Sequence, residues 1–207
     1  VRILHISDLH FGNESSKTAQ NTRKNCLEKL ENVISQISKE KSIDYLIVSG
    51  DIAYHGKENE YNEAYEFFKD LFEKSGIQPS NTIIAPGNHD FDRDLGAAFS
   101  IPSTMEEAAR TYNLESLPSI SVPFTKFEEF CKRLNVAQPQ LTRDISSYLV
   151  GVCKFPDIDF LVLNSAWCKA DRGTWIGKSF LENIKAADLI DKTSYTVAVM
   201  HHPSESI

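Results

Sequence analysis

Hydrophobic and polar positions follow two different periods along the chain. VRILHI, DYLIVS, NTIIA and SYTVAVM are runs rich in Ile, Val and Leu. Such runs suit strands buried on both faces. Between them the period lengthens. Leu27, Leu30, Ile34 and Ile37 recur at spacings of three and four within Ser16–Lys41, as do Tyr61, Tyr65, Phe68 and Phe72 within Glu58–Lys74. Both patterns predict amphipathic helices. Strand, helix, strand, helix implies right-handed crossovers and a mostly parallel sheet in an α/β fold. Further along, Phe124, Phe127, Cys131 and Leu134 predict another helix, and SYLVGVCKF with DFLVLNSAW predicts an antiparallel pair turning at Pro156-Asp157. GKSFLENIKAADLID predicts a last helix. The stretch from Leu95 to Ser147 carries prolines at 102, 118, 123 and 139 and little strand pattern. It is expected to be an insertion capping whatever lies at its root.

Each long apolar run stops at groups that bind metals or protons. The first ends at Asp8 and His10, the second at Gly50-Asp51, the third at Asn88-His89-Asp90, and the fourth at His201-His202. In open α/β sheets ligands sit beyond the carboxyl ends of the strands, so the four clusters should share one pocket. Asp8 and His10 are two residues apart; at a strand end that spacing puts both side chains on one side. Asp51 follows a glycine, which allows a sharp turn, and its two oxygens could bridge two ions. Asn88 adds a neutral oxygen and His201 a neutral nitrogen. Mixed oxygen and nitrogen donors suit Mn, Fe, Zn or Co better than Ca.

Composition narrows the classes. The 207 residues are 41% hydrophobic and 25% charged, which suits one globular domain over 1–207 with a sizeable core. The net charge of -7 and the lack of a basic run disfavour a nucleic acid partner and leave a phosphorylated small molecule or nucleotide as the expected substrate. Cys26, Cys131, Cys153 and Cys168 are scattered with no CxxC pair, so reduced thiols and a cytoplasmic location are expected. No apolar stretch approaches the roughly 20 residues that span a bilayer, so no membrane partner is expected.

The set DLH (8–10), GD (50–51), GNHD (87–90) and HHP (201–203) resembles the motifs of the calcineurin-like metallophosphoesterase superfamily, in order and in strand context. The resemblance implies a four-layer α/β/β/α sandwich. It implies two divalent ions, with Asp8 and His10 on the first, Asp51 bridging, and Asn88 and His201 on the second. The choice of His201 over His202 follows the family form H-x-P. His89 would face the substrate as proton donor or electrostatic stabiliser, and Asp90 would orient it. Two such ions bring a bridging water to near-neutral pKa for attack on phosphorus. The family's C-terminal G-H-x-H does not occur before Ile207, so further C-terminal sequence is expected.

The remaining polar and aromatic residues have plainer readings. His5 reads as a core histidine, Tyr54 as packing, and Trp167 and Trp175 as packing anchors. Asp92 and Asp94 read as solvated turn charge, and Glu106-Glu107 as an exposed helix face. His55 and Arg93 flank the motifs and divide evenly between substrate contact and solvent. The expected function is a metal-dependent phosphoesterase acting on a phosphodiester of nucleotide type. The alternatives are a nuclease of the same superfamily and a non-catalytic interaction domain that keeps the fold.

Overall fold

A computed structural model describes residues 1–100, 102–167, 174–190 and 195–203. The expected helices form close to their predicted limits. The first, α1, spans Lys17–Glu40, capped by the Ser16 hydroxyl accepting from Ala19 N–H. The second, α2, spans Glu58–Ser75 and ends at Gly76, whose φ of 74° supplies the left-handed cap. Its start is tied by the buried Glu60 carboxylate, which accepts from the backbone N–H groups of His55 and Lys57.

Strands β1 (Ile3–Ile6), β2 (Tyr45–Ser49) and β3 (Thr82–Ala85) form one parallel sheet in that order. Strands β4 (Gly151–Lys154), β5 (Ile158–Val162) and β6 (Tyr195–Val199) form a second. Within it β4 and β5 are antiparallel, as the Pro156-Asp157 turn predicts, and β5 and β6 are parallel. The fourth apolar run therefore does not extend the sheet of the other three. It belongs to a sheet stacked on it.

The layer between the sheets is apolar: Tyr45, Ile47, Ile83 and Ala85 from one side meet Cys153, Ile158, Phe160, Val162 and Val199 from the other. On the outer face of the first sheet, Leu46, Val48 and Ile84 pack with Ile34 of α1 and Phe67, Phe68 and Leu71 of α2. On the outer face of the second, Val152 and Leu163 pack with Phe180 and Ile184 of a helix over Lys178–Ala186. These are the four layers, α/β/β/α.

The stretch from 95 to 147 carries short helices at Met105–Thr111 and Leu117–Ile120 and a longer one at Thr125–Leu134. The longer one lies on α2, with Phe130 against Tyr61 and Phe68, and so thickens the helix layer. His5 is not a core residue: β1 is an edge strand, and the His5 side chain is exposed there, reaching Ser49 Oγ at 2.7 Å. Cys26, Cys131 and Cys153 are free thiols, and Cys168 lies outside the described residues. No helix among the described residues is long and apolar enough to cross a membrane.

Candidate metal centre

The register of the first sheet aligns its carboxyl ends. Ile6 pairs with Val48 and Ser49 with Ala85, so the next residues of three strands arrive side by side. The ladder continues past the strands through Asp8 N–H to Gly50 O, His10 N–H to Asp51 O and Phe11 N–H to Ile52 O. Two glycines allow the loops after β2 and β3 to touch through backbone. A Cβ at Gly50 would fall 2.6 Å from Gly87 N, and one at Gly87 would fall 2.2 Å from Asp51 Oδ1. Neither distance is tolerable for any side chain, so the glycines before Asp51 and Asn88 set how closely the two clusters approach.

Asp8, His10 and Asp51 all sit in the left-handed region, at φ of 57°, 48° and 54°. That conformation costs most residues about 1–2 kcal/mol, although Asp and His tolerate it better than most. Strain of this kind concentrates where a site over-determines the backbone. Periodicity gives no sign of it.

Asp51 is the centre of the arrangement. Its side chain is 5% exposed, and its two oxygens face different histidines. Oδ2 lies 3.6 Å from His10 Nε2, and Oδ1 lies 3.5 Å from His201 Nε2. His10 Nε2 is also 3.8 Å from Asp8 Oδ1. Hydrogen bonds at a carboxylate are shorter. Two ligands each about 2.1 Å from a shared ion stand about 3–4 Å apart, which is the spacing found here. Donor atoms of Asp8, Asp51 and His201 cluster within 4.8 Å of one another, as do those of His10, Asp51 and His89. The buried Nδ1 of His10 has no hydrogen-bond partner among the described residues. Burial holds the His10 imidazole below its ordinary pKa against the raising pull of Asp51, and the neutral ring is the form that ligates a cation. The residues present thus fit a divalent ion.

His201 comes from the second sheet, two residues beyond β6. Its Nδ1–H donates to Ser49 O at 2.8 Å, the last carbonyl of β2, which leaves Nε2 free to face Asp51. His202 turns away: its Nδ1 lies 2.9 Å from Ser165 Oγ, and burial lowers its pKa. His89 has the same tautomer as His201, with Nδ1–H donating to Tyr54 O at 2.7 Å. The Tyr54 ring stacks on His89 at 4.9 Å and 19°, and His10 meets His89 edge-on at 4.8 Å. Tyr54 is therefore a wall of the site rather than remote packing. Asn88 is half-buried between Gly87 and His89, whose N–H donates to Asp51 Oδ1 at 2.9 Å.

Two acidic residues have different partners from those expected. Asp90 does not reach the His89 ring. Its carboxylate accepts from the N–H groups of Ile52, Ala53 and Gly87 and from the Tyr61 hydroxyl. It pins the two loops together. Burial pushes its carboxyl up to about 6, against the lowering effect of the backbone bonds. Asp92 is no solvated turn charge. It is 6% exposed and bound at 2.7 Å by Lys57, whose ammonium also holds Asp94 at 2.6 Å. A sequence signal for both existed in the repeated aspartates of DFDRD, but their partners arrive only through the fold. His55 is engaged by Glu60 at 3.0 Å.

Comparison with known proteins identifies the family. The chain belongs to the calcineurin-like phosphoesterase family, whose model matches residues 1–206. A Bacillus subtilis (strain 168) protein, the uncharacterized metallophosphoesterase-like protein YydB, is 33% identical over 118 residues, covering 56% of this chain and 23% of that protein. A probable cyclic nucleotide phosphodiesterase of Ruthia magnifica is 28% identical over 201 residues, covering 95% of this chain and 75% of that protein. Another from Vesicomyosocius okutanii is 26% identical over 170 residues, covering 80% and 64%. The chain thus spans less than a quarter of the Bacillus relative and a little under two thirds of the Vesicomyosocius one.

Proposed function

We propose that this chain carries the catalytic centre of a phosphodiesterase acting on small nucleotide-like diesters, with two divalent ions held by Asp8, His10, Asp51, Asn88 and His201. The observation that carries the reading is the Asp51 carboxylate, buried and presenting one oxygen to His10 and the other to His201. The relatives described as probable cyclic nucleotide phosphodiesterases support the substrate class.

When bound, the ions supply an ionised water near neutral pH and positive charge opposite the phosphoryl oxygens. The chain's own residues do the rest. Asp51 offsets the charge between the two positions. His89 is fixed through Nδ1 by Tyr54 O and through its ring by the Tyr54 stack, so Nε2 faces the site. From there a proton on Nε2 passes to the leaving oxygen. Asp90 holds the loop carrying His89 against the loop carrying Asp51. The segment 95–147 begins directly after the Asn88–Asp94 loop, and its first half is the part we assign to the substrate rim.

The test is metal titration by calorimetry with Mn²⁺, followed by hydrolysis of bis(p-nitrophenyl) phosphate with and without Mn²⁺. Binding together with Mn²⁺-dependent hydrolysis is expected. A chain that neither binds Mn²⁺ at millimolar concentration nor hydrolyses the diester would instead be an interaction domain.

A further inference from the structure

A small aromatic cavity takes one wall from the loop that carries Asn88 and His89. Its volume is about 190 Å³, well below the ~300–1,000 Å³ of sites that take a whole drug-sized ligand. It has room for one planar ring system. Phe91, Tyr112 and Trp167 are buried and form its walls, while Arg93 and Ala97 are exposed and Phe99 is half-buried at its rim. Gly96 closes in on Phe91 so tightly that a Cβ there would fall 2.1 Å from Phe91 Cζ. The ring therefore lies on bare backbone, and glycine at 96 keeps that wall in place.

Two of its walls follow closely in sequence on residues at or next to the site. Phe91 stands two residues after His89, so their Cα atoms are within about 7 Å. Trp167 stands two residues after Ser165, whose hydroxyl lies 2.9 Å from His202. Arg93 brings a cation to the mouth, and among the described residues it has no ion-pair or hydrogen-bond partner. In a chain of net charge -7, an uncommitted guanidinium at a pocket rim is a local exception. A guanidinium is planar and donor-only; it stacks on rings and pairs with acceptor edges.

We propose that this slot holds the base of the substrate, with the ring packed among Phe91, Tyr112 and Trp167 and Arg93 over its acceptor edge. The assignment rests on the phosphodiesterase reading and adds to it the specificity determinant. The phosphodiester then lies toward His89 and the base toward the segment after Asp94.

Free nucleosides test the slot without metal or catalysis. In EDTA, saturation-transfer NMR and calorimetry with adenosine, guanosine, cytidine and uridine should show saturable binding with transfer concentrated on base protons. Ribose 5-phosphate, which has no base, should not bind. Ala97→Trp fills the mouth from an exposed position and should keep the circular dichroism spectrum. It should weaken nucleoside binding on the order of tenfold, the scale of one base–aromatic stack. Arg93→Ala should weaken it several-fold. No saturable binding of any nucleoside, or binding unchanged in Ala97→Trp, overturns the slot. The phosphodiesterase reading is checked separately by Mn²⁺-dependent hydrolysis of methyl p-nitrophenyl phosphate, which carries no base. Failure there sinks that reading and leaves the nucleoside titration to decide the slot.

Discussion

Asp51 is held in a left-handed backbone, buried, with Asp8 and Asp90 close by. Without a cation these charges oppose one another. Asp51→Asn keeps an oxygen for His89 N–H and a residue type that accepts positive φ. The variant should therefore melt at a higher temperature than the parent in EDTA. In Mn²⁺ the order should reverse, because the parent gains about 2.7 kcal/mol at a hundredfold excess over Kd and the variant does not. Equal Mn²⁺-induced shifts in the two melting curves would show that Asp51 is not a ligand. His89→Ala should bind Mn²⁺ as the parent does but lose turnover by about 10²–10⁴-fold, the range of a general acid. The loss should shrink on p-nitrophenyl esters, whose leaving group needs no proton. If Mn²⁺ affinity falls instead, His89 is a ligand. These residues were legible in the sequence because each ends an apolar run. The work of Tyr54 and Asp90 was not. Tyr54 acts through its carbonyl, and Asp90 through amides of residues 38, 37 and 3 positions away. No side-chain pattern reports bonds to backbone atoms supplied by another loop.

At the scale of elements, the loops after β2 and β3 depend on each other through Gly50 and Gly87. Gly87→Ala would place a methyl against Asp51 Oδ1. Overpacking of this kind costs about 1–3 kcal/mol, so the protein should remain folded. The loops must part, and Mn²⁺ affinity should drop by far more than the melting temperature suggests; calorimetry beside a thermal melt measures both. A Gly87→Ala variant with parental affinity would mean that the loop contact does not set the site. Helix limits were readable from apolar spacing, as α1 and α2 illustrate. Sheet membership was not. SYTVAVM reads like IDYLIVSG, yet β6 pairs with β5 in the second sheet and buries only Val199, so an apolar run reports neither which sheet a strand joins nor how deeply it lies.

For the whole molecule, the candidate site draws on two sheets that meet across an apolar layer. Ile83 is fully buried in that layer, and Leu71 is fully buried beneath the helices. Ile83→Ala and Leu71→Ala should each cost about 2–5 kcal/mol. Only the first should weaken Mn²⁺ binding when both are measured well below their melting temperatures. Equal loss of affinity in both variants would mean that the site feels general loosening rather than the fit between sheets.

The His201 bond to Ser49 O gives that fit a length scale. It ties the end of the second sheet to the end of β2 at 2.8 Å. One residue of slip along a strand is about 3.3 Å, more than the whole bond. The histidine thus works as a vernier: the sandwich can be nearly right in shape and packing and still miss by one graduation. Metal affinity would then measure the alignment of the two sheets more finely than melting temperature or circular dichroism.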